Sequence, residues 1–303
     1  MEYYYNIYGL NIKSEIYLPE AYEIEEKDTE VQIRYGVMPS FIKEKRKDDY
    51  VTSTLLRDYK WFYFEKEGNF LIEKGTSITV ELDNTADEKH IRSLVLGACL
   101  GSIMYQREII AIHGAAVVWK DKAIIVSGVS GAGKSTISAE FRKKGCIFLA
   151  DDTVAITSED GIIYANPAYP QQKLCTDAAI ELGYDLNELI SLFEEREKYA
   201  VRLTDAFCSV RKEIVAMVCL DIHDGSQLIL DEITSSKKLE YIIENLYTYR
   251  DFTRAGMNTN TFKKCLEMAQ KIPVIRVKRP AGMNIATQIT EHIFTLIESK
   301  YRD

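Results

Sequence analysis

Hydrophobic and polar positions change their period along the chain, and this change divides the chain in two. Residues 1–86 contain short runs of aromatic and β-branched residues separated by turn signals such as Glu67-Gly68-Asn69, a pattern that predicts β-strands. We expect these strands at Tyr3–Leu10, Val31–Val37, Trp61–Glu65, Phe70–Glu73 and Ser77–Leu82. The pattern therefore predicts a β-rich N-terminal accessory domain over residues 1–86.

From Asp87 to Glu108 the apolar residues recur at helical spacing. We expect a helix here that joins the two halves, with its N-cap within Asp83 to Thr85. The rest of the chain predicts an α/β domain over residues 87–303. Strands are expected at Ile109–Trp119, Ala123–Ser127, Cys146–Ala150, Val154–Thr157, 199–204, 213–222, 226–231 and 273–278, and helices at Ser135–Lys144, 176–183, 186–197, 236–248, 259–271 and 285–299.

A glycine-rich loop lies between the strand that ends at Ser127 and the helix that follows. Its sequence has the phosphate-loop pattern GxxxxGK[ST], in the strand–loop–helix context that the pattern requires. Glycines let the backbone approach an anion closely and point successive N–H groups at it. Lys134 can reach the β- and γ-phosphates, and the Ser135 hydroxyl can ligate Mg²⁺. The loop predicts bound ATP with Mg²⁺, held by Gly128, Ser130, Gly131, Ala132, Gly133, Lys134, Ser135 and Thr136.

Two adjacent carboxylates, Asp151 and Asp152, end the next strand of buried type. A strand–helix–strand crossover would place this strand parallel to, and close beside, the one at Ala123–Ser127. Because ligands of open α/β sheets bind at the carboxyl ends of the strands, we expect both carboxylates near the phosphates. One would hold Mg²⁺ and the other would accept the proton of an incoming hydroxyl. Alternatively, the pair only caps the next turn.

Composition narrows the classes of partner. The chain has 303 residues, 46% of them hydrophobic, and a net charge of −8, which argues against a nucleic-acid or anionic-membrane partner. The absence of any run of 18 apolar residues predicts no membrane span. Six scattered cysteines without a CxxC pair predict reduced thiols in a cytoplasmic protein.

Three motifs in this order and spacing resemble the catalytic domain of HPr kinase/phosphorylase. They are the run Ile112–Val117, the phosphate loop after Val126-Ser127, and Leu149-Ala150-Asp151-Asp152 after Gly145. The resemblance covers about residues 105–160 and extends more loosely over the rest of the second half. It implies a mixed-sheet nucleotide-binding fold, similar to that of ATP-dependent phosphoenolpyruvate carboxykinase. It also implies an ATP-dependent kinase acting on a serine hydroxyl of a peptide or protein, and it makes a homo-oligomer plausible.

The resemblance assigns roles to individual residues. Asp151 matches the position of the family's catalytic base, and Asp152 matches its acidic neighbour near the metal. His113 matches a histidine beside the phosphates, although from the residues alone a histidine in this apolar run is more simply a core residue. The predicted catalytic residues are therefore Asp151, Lys134 and His113, and the predicted metal ligands are Ser135 and Asp152.

One stretch departs from the family pattern. The family's later signature contains a metal-binding glutamate, but the corresponding stretch Ala165–Leu174 has no acidic residue. This departure argues against phosphorylase activity and against HPr as the substrate. The chain is more similar to HPr kinase-related proteins encoded near peptide natural-product genes, so a serine of a precursor peptide is the expected acceptor.

Two other functions stay open. A nucleotide-binding sensor without transfer activity fits the missing glutamate. A carboxykinase acting on a small carboxylate would need several pocket arginines and a metal-binding His/Lys set, which the sequence does not supply. An additional cation near the γ-phosphoryl could come from Arg202, Arg211, Lys212 or Arg254, although solvated surface charge is the simpler interpretation of each. Asp177 and Glu181 are expected to face solvent.

Overall fold

The structure, a computed structural model, describes residues 1–45, 59–192, 198–283 and 285–300. In that part of the chain the strands form three sheets, and helices pack against the largest of them. Over the same ranges, no helix has both the length and the apolar character needed to cross a bilayer. All six cysteines are free thiols.

The N-terminal region forms a six-stranded mixed sheet with one short helix, α1 (Ser40–Lys45). Its strands are β1 (Tyr3–Ile7), β2 (Leu10–Ser14), β3 (Val31–Tyr35), β4 (Tyr59–Phe64), β5 (Gly68–Glu73) and β6 (Ser77–Leu82). They lie in the order β1-β2-β3-β6-β5-β4, and the β2–β3 and β3–β6 pairs are parallel. The predicted β-rich region is confirmed. It has one strand more than predicted, because a turn at Tyr8 and Gly9, both with positive φ, divides the first predicted strand into a hairpin.

A helical segment joins the two halves, as predicted. It comprises α2 (Glu88–Leu94), a π-helical stretch (Val95–Cys99) and α3 (Leu100–Gln106). The predicted N-cap at Asp83 to Thr85 is wrong, because the Asp87 carboxylate accepts the amide hydrogens of Lys89 and His90. The segment buries its apolar face, including Val95, in the core between the two large sheets.

The C-terminal half is organised around an eight-stranded mixed sheet. The strands of this half are β7 (Ile110–Trp119), β8 (Lys122–Gly128), β9 (Ile147–Ala150), β10 (Thr153–Glu159), β11 (Ile162–Ala165), β12 (Gln171–Cys175), β13 (Ile190–Leu192), β14 (Lys198–Arg202), β15 (Lys212–His223), β16 (Ile229–Ile233) and β17 (Val274–Pro280). The main sheet has the order β11-β10-β7-β8-β15-β17-β16, with β9 paired to β7. Strands β8, β15 and β17 are parallel. Strands β12, β14 and β13 form a separate small sheet.

Alternating residues of the central strands send side chains into two cores. The helices of this half are α4 (Lys134–Lys143), α5 (Thr176–Glu181), α6 (Ser236–Glu244), α7 (Tyr249–Ala255), α8 (Thr259–Lys271) and α9 (Ala286–Lys300). Ile124 and Val126 pack with α4 and α9 on one face. Ala123 and Ile125 belong to the larger core on the other face, which is continuous with the core of the N-terminal sheet. The predicted α/β class with a mixed sheet is confirmed, and the domain division at residue 86 stays a prediction.

Tertiary pairing overrides helix propensity in one predicted element. The predicted helix over 186–197 is wrong for its described part, since Leu186–Glu188 forms a 3₁₀ turn and β13 pairs with the edge of β14. Residues 193–197 lie outside the described residues. Strand β16 begins three residues later than predicted, and Arg254, one of the additional cations considered from sequence, belongs to α7.

The strand that precedes the acidic pair was predicted to lie directly beside β8, but one strand separates the two. Strand β9 pairs with β7, not with β8, and both β8 and β9 run antiparallel to β7. Strands β8 and β9 therefore run in the same direction with β7 between them. Their carboxyl ends still meet at one edge of the sheet, where β7 supplies His113 and Gly114.

Candidate active site

The phosphate loop connects β8 to α4 through three glycines with positive φ. These are Gly128 (φ +131°), Gly131 (φ +83°) and Gly133 (φ +97°), conformations that residues with a Cβ rarely adopt. At Gly128 a Cβ would also lie 2.1 Å from the carbonyl oxygen of Leu220 on β15. The sequence therefore uses glycine to pass the loop tightly over β15 and then start α4 with its N–H groups exposed.

Lys134 lies at the start of α4 and folds back over the beginning of the loop. Its Nζ donates to the carbonyl oxygens of Gly128 at 2.9 Å and Val129 at 3.2 Å. Burial lowers the pKa of Lys134, and the nearby carboxylates of Asp152 and Asp151 oppose that shift. The ammonium group thus faces both the loop and the acidic pair.

Arg279, at the end of β17, stabilises the loop from outside. Its Nε donates to the carbonyl oxygen of Ala132 at 2.7 Å, and its Nη2 donates to that of Gly131 at 3.3 Å. Ala132 is fully buried, so among the predicted loop residues it supports the loop from within. Sequence reasoning missed Arg279, because it lies more than 140 positions from the loop and belongs to no motif.

Asp151 and Asp152 lie between β9 and β10, along one edge of β7. Asp152 has a left-handed backbone conformation with φ +65°, which is uncommon for a residue other than glycine and typical of functional sites. Its carbonyl oxygen accepts the Gly114 amide hydrogen at 3.2 Å, and the Asp151 carbonyl oxygen accepts that of Thr153 at 2.7 Å. This kink interrupts the strand, and both carboxylates line the same cavity as the phosphate loop.

Lys173, on β12, contacts both carboxylates. Its backbone amide donates to Oδ2 of Asp151 at 2.7 Å, and its Nζ donates to Oδ2 of Asp152 at 3.2 Å. The Ser135 hydroxyl lies at 3.3 Å from the Lys173 carbonyl oxygen. One residue of the acid-free stretch 165–174 therefore joins the predicted metal ligands, Ser135 and Asp152, to the predicted base, Asp151.

The two carboxylates have pKa values shifted in opposite directions. Burial, supported by the charge of Asp152, raises the pKa of Asp151 to about 6, although the Lys173 amide opposes the shift. Burial also acts against ionisation of Asp152, but the positive charges of Lys173 and its neighbours outweigh it and lower the pKa of Asp152. Such a separation assigns different chemistry to two adjacent acids.

His113 lies on β7 beside the acidic pair. Its Nδ1 is 3.0 Å from the Asp152 carbonyl oxygen and 3.8 Å from its Oδ1. Burial lowers the pKa of His113, against the opposing effect of Asp152. His113 also lines the cavity, so its side chain is not confined to the apolar core.

The predicted residues come together around a cavity of about 150 Å³. Those lining it are His113, Ser130, Gly131, Gly133, Lys134, Ser135, Thr136, Asp151 and Asp152. Gly128 instead lines a larger adjoining cavity. Lys173 and Lys198 also line the smaller cavity, and the sequence did not predict them. Asp177 was expected only to face solvent; it is exposed, but it also lines this cavity.

Of the additional cations considered from sequence, Arg202, Arg211 and Lys212 do not line this cavity, and the side chain of Arg254 lies outside the described part of the structure. Arg211 pairs with Glu159 and Lys212 pairs with Asp121 at the surface, and Arg202 is exposed, as expected for surface charge. Lys173 and Lys198 provide positive charge at the cavity instead. Neither lies in a recognisable motif, and their position depends on how the small sheet packs beside α4.

The residues present fit the magnesium site expected from sequence. Mg²⁺ prefers oxygen ligands and is commonly held by one or two carboxylates together with substrate phosphates. Ser135 and Asp152 are oxygen donors on the wall of the cavity that the phosphate loop lines. Within the described ranges no three His, Cys, Asp or Glu side chains are grouped to hold a metal, so the phosphates would supply the remaining ligands.

Comparison with known proteins adds a sequence relative. No family model matches the chain. The chain is 25% identical over 233 residues to the HPr kinase/phosphorylase of Streptococcus sanguinis (strain SK36), a match that covers 72% of this chain and 61% of that relative. The chain thus spans less than two thirds of the length of this curated relative.

Among solved structures, the chain matches the HPr(Ser) kinase/phosphatase from Coxiella burnetii with a TM-score of 0.32 and 11% identity. This match covers 64% of the chain and 99% of that structure. The similarity to the HPr kinase/phosphorylase family, predicted from the phosphate loop and the acidic pair, is confirmed by the sequence match to the streptococcal protein.

Proposed function

We propose that this protein is a Mg²⁺- and ATP-dependent kinase that transfers the γ-phosphoryl group to a serine hydroxyl of a peptide or protein. One observation carries the proposal: the phosphate loop and two carboxylates with oppositely shifted pKa values line a single cavity. The similarity to a protein named HPr kinase/phosphorylase supports the same class of reaction.

The loop and its lysine bind the triphosphate. The residues at the start of α4 line the cavity, and Lys134 provides a cation for the β- and γ-phosphates. Lys173 and Lys198 also line the cavity and add positive charge there, which would stabilise the charge that develops on the transferred group. Ser135 and Asp152 would hold Mg²⁺, which when bound neutralises charge on the phosphate oxygens.

Asp151 receives the proton. The acceptor oxygen forms a bond to the γ-phosphorus while the bond from that phosphorus to the bridging oxygen breaks, ADP leaves, and the hydroxyl proton passes to the Asp151 carboxylate. With a pKa of about 6, Asp151 is ionised at neutral pH and is still a stronger base than an ordinary carboxylate. His113, whose pKa is lowered, lies beside the Asp152 backbone as a neutral imidazole and helps to orient the pair.

The acceptor we propose is a serine of a precursor peptide in preference to HPr. The stretch Ala165–Leu174, which has no acidic residue, brings the cation Lys173 to the acidic pair. A cation at this place would offset negative charge beside the γ-phosphoryl group that is transferred from ATP. The chain therefore has the groups for the forward reaction and lacks the acidic signature associated with the phosphorylase reaction.

The contacts of Lys173 also favour a second candidate, a nucleotide-binding sensor without transfer activity. The Lys173 amide and ammonium group engage both carboxylates. If this arrangement persisted with nucleotide bound, Asp152 would not be available to a metal and Asp151 would be held away from a hydroxyl. The protein would then bind nucleotide without chemistry.

The substitution Asp151→Asn tests the kinase proposal. Removing the base should lower kcat for phosphorylation of serine-containing precursor peptides about 10²- to 10⁴-fold, measured with γ-labelled ATP and by mass detection of the added phosphate. The ATP dissociation constant should change little.

Asp160→Asn is the control. It makes the same chemical change at an exposed turn with positive φ and should leave transfer intact. Full transfer by Asp151→Asn removes this residue from the mechanism, whereas tight ATP binding without phosphopeptide across all acceptors favours the sensor.

A further inference from the structure

A second cavity, of about 970 Å³, adjoins the catalytic cavity. The two share His113 and Ser130 as lining residues. The larger cavity lies between the start of the phosphate loop, the carboxyl end of β15, helix α6 and the segment 245–249, and β4 of the N-terminal sheet contributes to its wall. Its volume lies at the upper end of the range of ligand sites, so it has room for more than a small metabolite.

The phosphate loop determines which end of the triphosphate faces this cavity. Gly128 and Val129 line the larger cavity, whereas Gly133 to Thr136, at the start of α4, line only the smaller one. The Lys134 ammonium group, which in such loops reaches the β- and γ-phosphates, lies against the carbonyl oxygens of Gly128 and Val129. A terminal phosphate held by Lys134 would therefore lie on the Gly128–Val129 side of the loop, which is the side that opens to the larger cavity.

Tyr247 forms a fixed aromatic wall beside the shared residue His113. Their ring centroids are 6.2 Å apart, and the Tyr247 amide donates to the Ala111 carbonyl oxygen on β7 at 2.8 Å. A Cβ on Gly101 would lie 2.4 Å from the Tyr247 ring, so glycine at this position lets the ring lie directly on α3. A rigid tyrosine supplies contact area for a peptide at a small cost in conformational entropy.

Among the described residues that line this cavity, two of the three lysine and arginine side chains pair with carboxylates, and the other acidic groups outnumber the third cation. Lys60 pairs with Asp251 at 2.8 Å, and both side chains are largely buried. Arg276 pairs with Asp231 at 2.5 Å. The remaining acidic groups on the wall are Asp221 at the end of β15 and Glu240 and Glu244, which lie one turn apart on α6 and are exposed, with Lys237 as the cation on the same helix.

We propose that this larger cavity is the acceptor site and that it binds an extended peptide segment with a lysine or arginine within a few residues of the serine. The basic side chain would lie against Glu240 and Glu244, and the serine would reach the γ-phosphoryl group past His113. The acceptor role rests on the proposed kinase function, whereas the charge preference of the cavity does not. The experiment therefore measures binding separately from transfer.

The test is fluorescence anisotropy with two labelled octapeptides, each with a central Tyr-Ser. Lysines flank the centre in one peptide and glutamates in the other, and Mg²⁺ and ADP are present so that no transfer occurs. The basic peptide should bind the wild-type protein about tenfold more tightly than the acidic one, a difference that 300 mM salt should reduce. The double variant Glu240→Gln/Glu244→Gln should lose about tenfold in affinity for the basic peptide and keep its affinity for ADP.

The control variant is Glu25→Gln/Glu188→Gln, which changes the net charge equally at exposed sites outside the cavity and should change peptide affinity less than twofold. Equal binding of the two peptides, or unchanged binding of the basic peptide to the Glu240/Glu244 variant, would overturn the proposal. Displacement of the basic peptide by adenosine would also overturn it and would assign the cavity to the nucleoside. Charge-selective binding combined with absent transfer would contradict the kinase function and leave the peptide site standing.

Discussion

The N-terminal sheet and the main sheet bury similar aliphatic and aromatic side chains but differ in what lies at the ends of their strands. In the main sheet, the strand ends carry the phosphate loop, the acidic pair and Arg279. In the N-terminal sheet, the turn between β1 and β2 carries Tyr8 and Gly9, and neither residue lines the smaller cavity. The two regions nevertheless share one continuous core.

The chemical groups of the candidate site and the residues that support them come from different parts of the chain. The hairpin turn of the N-terminal sheet packs against the segment that leads into β12, because the Tyr8 amide donates to the Pro167 carbonyl oxygen at 2.8 Å. A Cβ on Gly9 would lie 2.8 Å from Oδ1 of Asn166. Since β12 supplies Lys173 to both carboxylates, the β1–β2 hairpin supports the smaller cavity without lining it.

The largest effect is expected from Lys134→Ala in the main sheet region. Loss of the loop cation should reduce transfer about 10³-fold and weaken ATP binding, while the protein stays folded. Transfer assays, calorimetric titration with ATP and urea unfolding together measure this. Lys143→Ala, on the exposed side of the same helix, is the matched control. Unimpaired transfer by Lys134→Ala would contradict the role of the loop.

In the N-terminal sheet, the expected loss is of stability. Phe70 on β5 is fully buried in the shared core, and Phe70→Ala should lower the free energy of unfolding by about 3–5 kcal/mol. Because the core is continuous, ADP with Mg²⁺ should raise the melting temperature of this variant in a single transition. Two transitions, of which only one responds to ADP, would show that the regions unfold independently. The half-buried Phe64 provides a control, since Phe64→Ala should cost less.

Local patterns predicted the parts of the site that depend on neighbouring residues. The loop from Gly128 to Thr136 and the acidic pair combine residue types that the chemistry requires within a short stretch. Lys173 and Arg279 could not be predicted, because each reaches the site through sheet pairing across a long separation in sequence. The described part of the helix expected over 186–197 is wrong for a different reason: β13 gains hydrogen bonds by pairing with the nearby strand β14, and helix propensity does not include that pairing.

Asp151 and Asp152 should affect stability with opposite signs. The folded state raises the pKa of Asp151 from 3.8 to about 6. Ionising this group is therefore less favourable in the folded protein than in the unfolded chain, and the free energy of unfolding falls as the pH rises from about 4 to 6. Asp151→Asn should therefore increase the free energy of unfolding at pH 7.5 by about 3 kcal/mol, and the gain should vanish near pH 4. Asp152, whose pKa is lowered, stabilises the ionised protein, so Asp152→Asn should be destabilising at pH 7.5. Equal signs in urea titrations of the two variants would contradict this assignment.

The smallest effect is expected where the two regions meet. Tyr8 is buried, burial raises its pKa well above the usual value, and its hydroxyl bonds to the Thr153 side chain, next to Asp152. Tyr8→Phe would leave that buried threonine without this partner, which costs about 1 kcal/mol, and would loosen the kink at Asp152. We expect kcat to fall about fivefold to tenfold, the pH profile of transfer to shift, and the ATP dissociation constant to stay constant.

The control is Tyr5→Phe, also in the N-terminal sheet. It removes a buried hydroxyl that accepts the Leu18 amide hydrogen, so it should lower stability by a similar amount and leave the pH profile unchanged. If the two variants had the same kinetics, the β1–β2 hairpin would contribute stability alone, and the support inferred from it would be wrong.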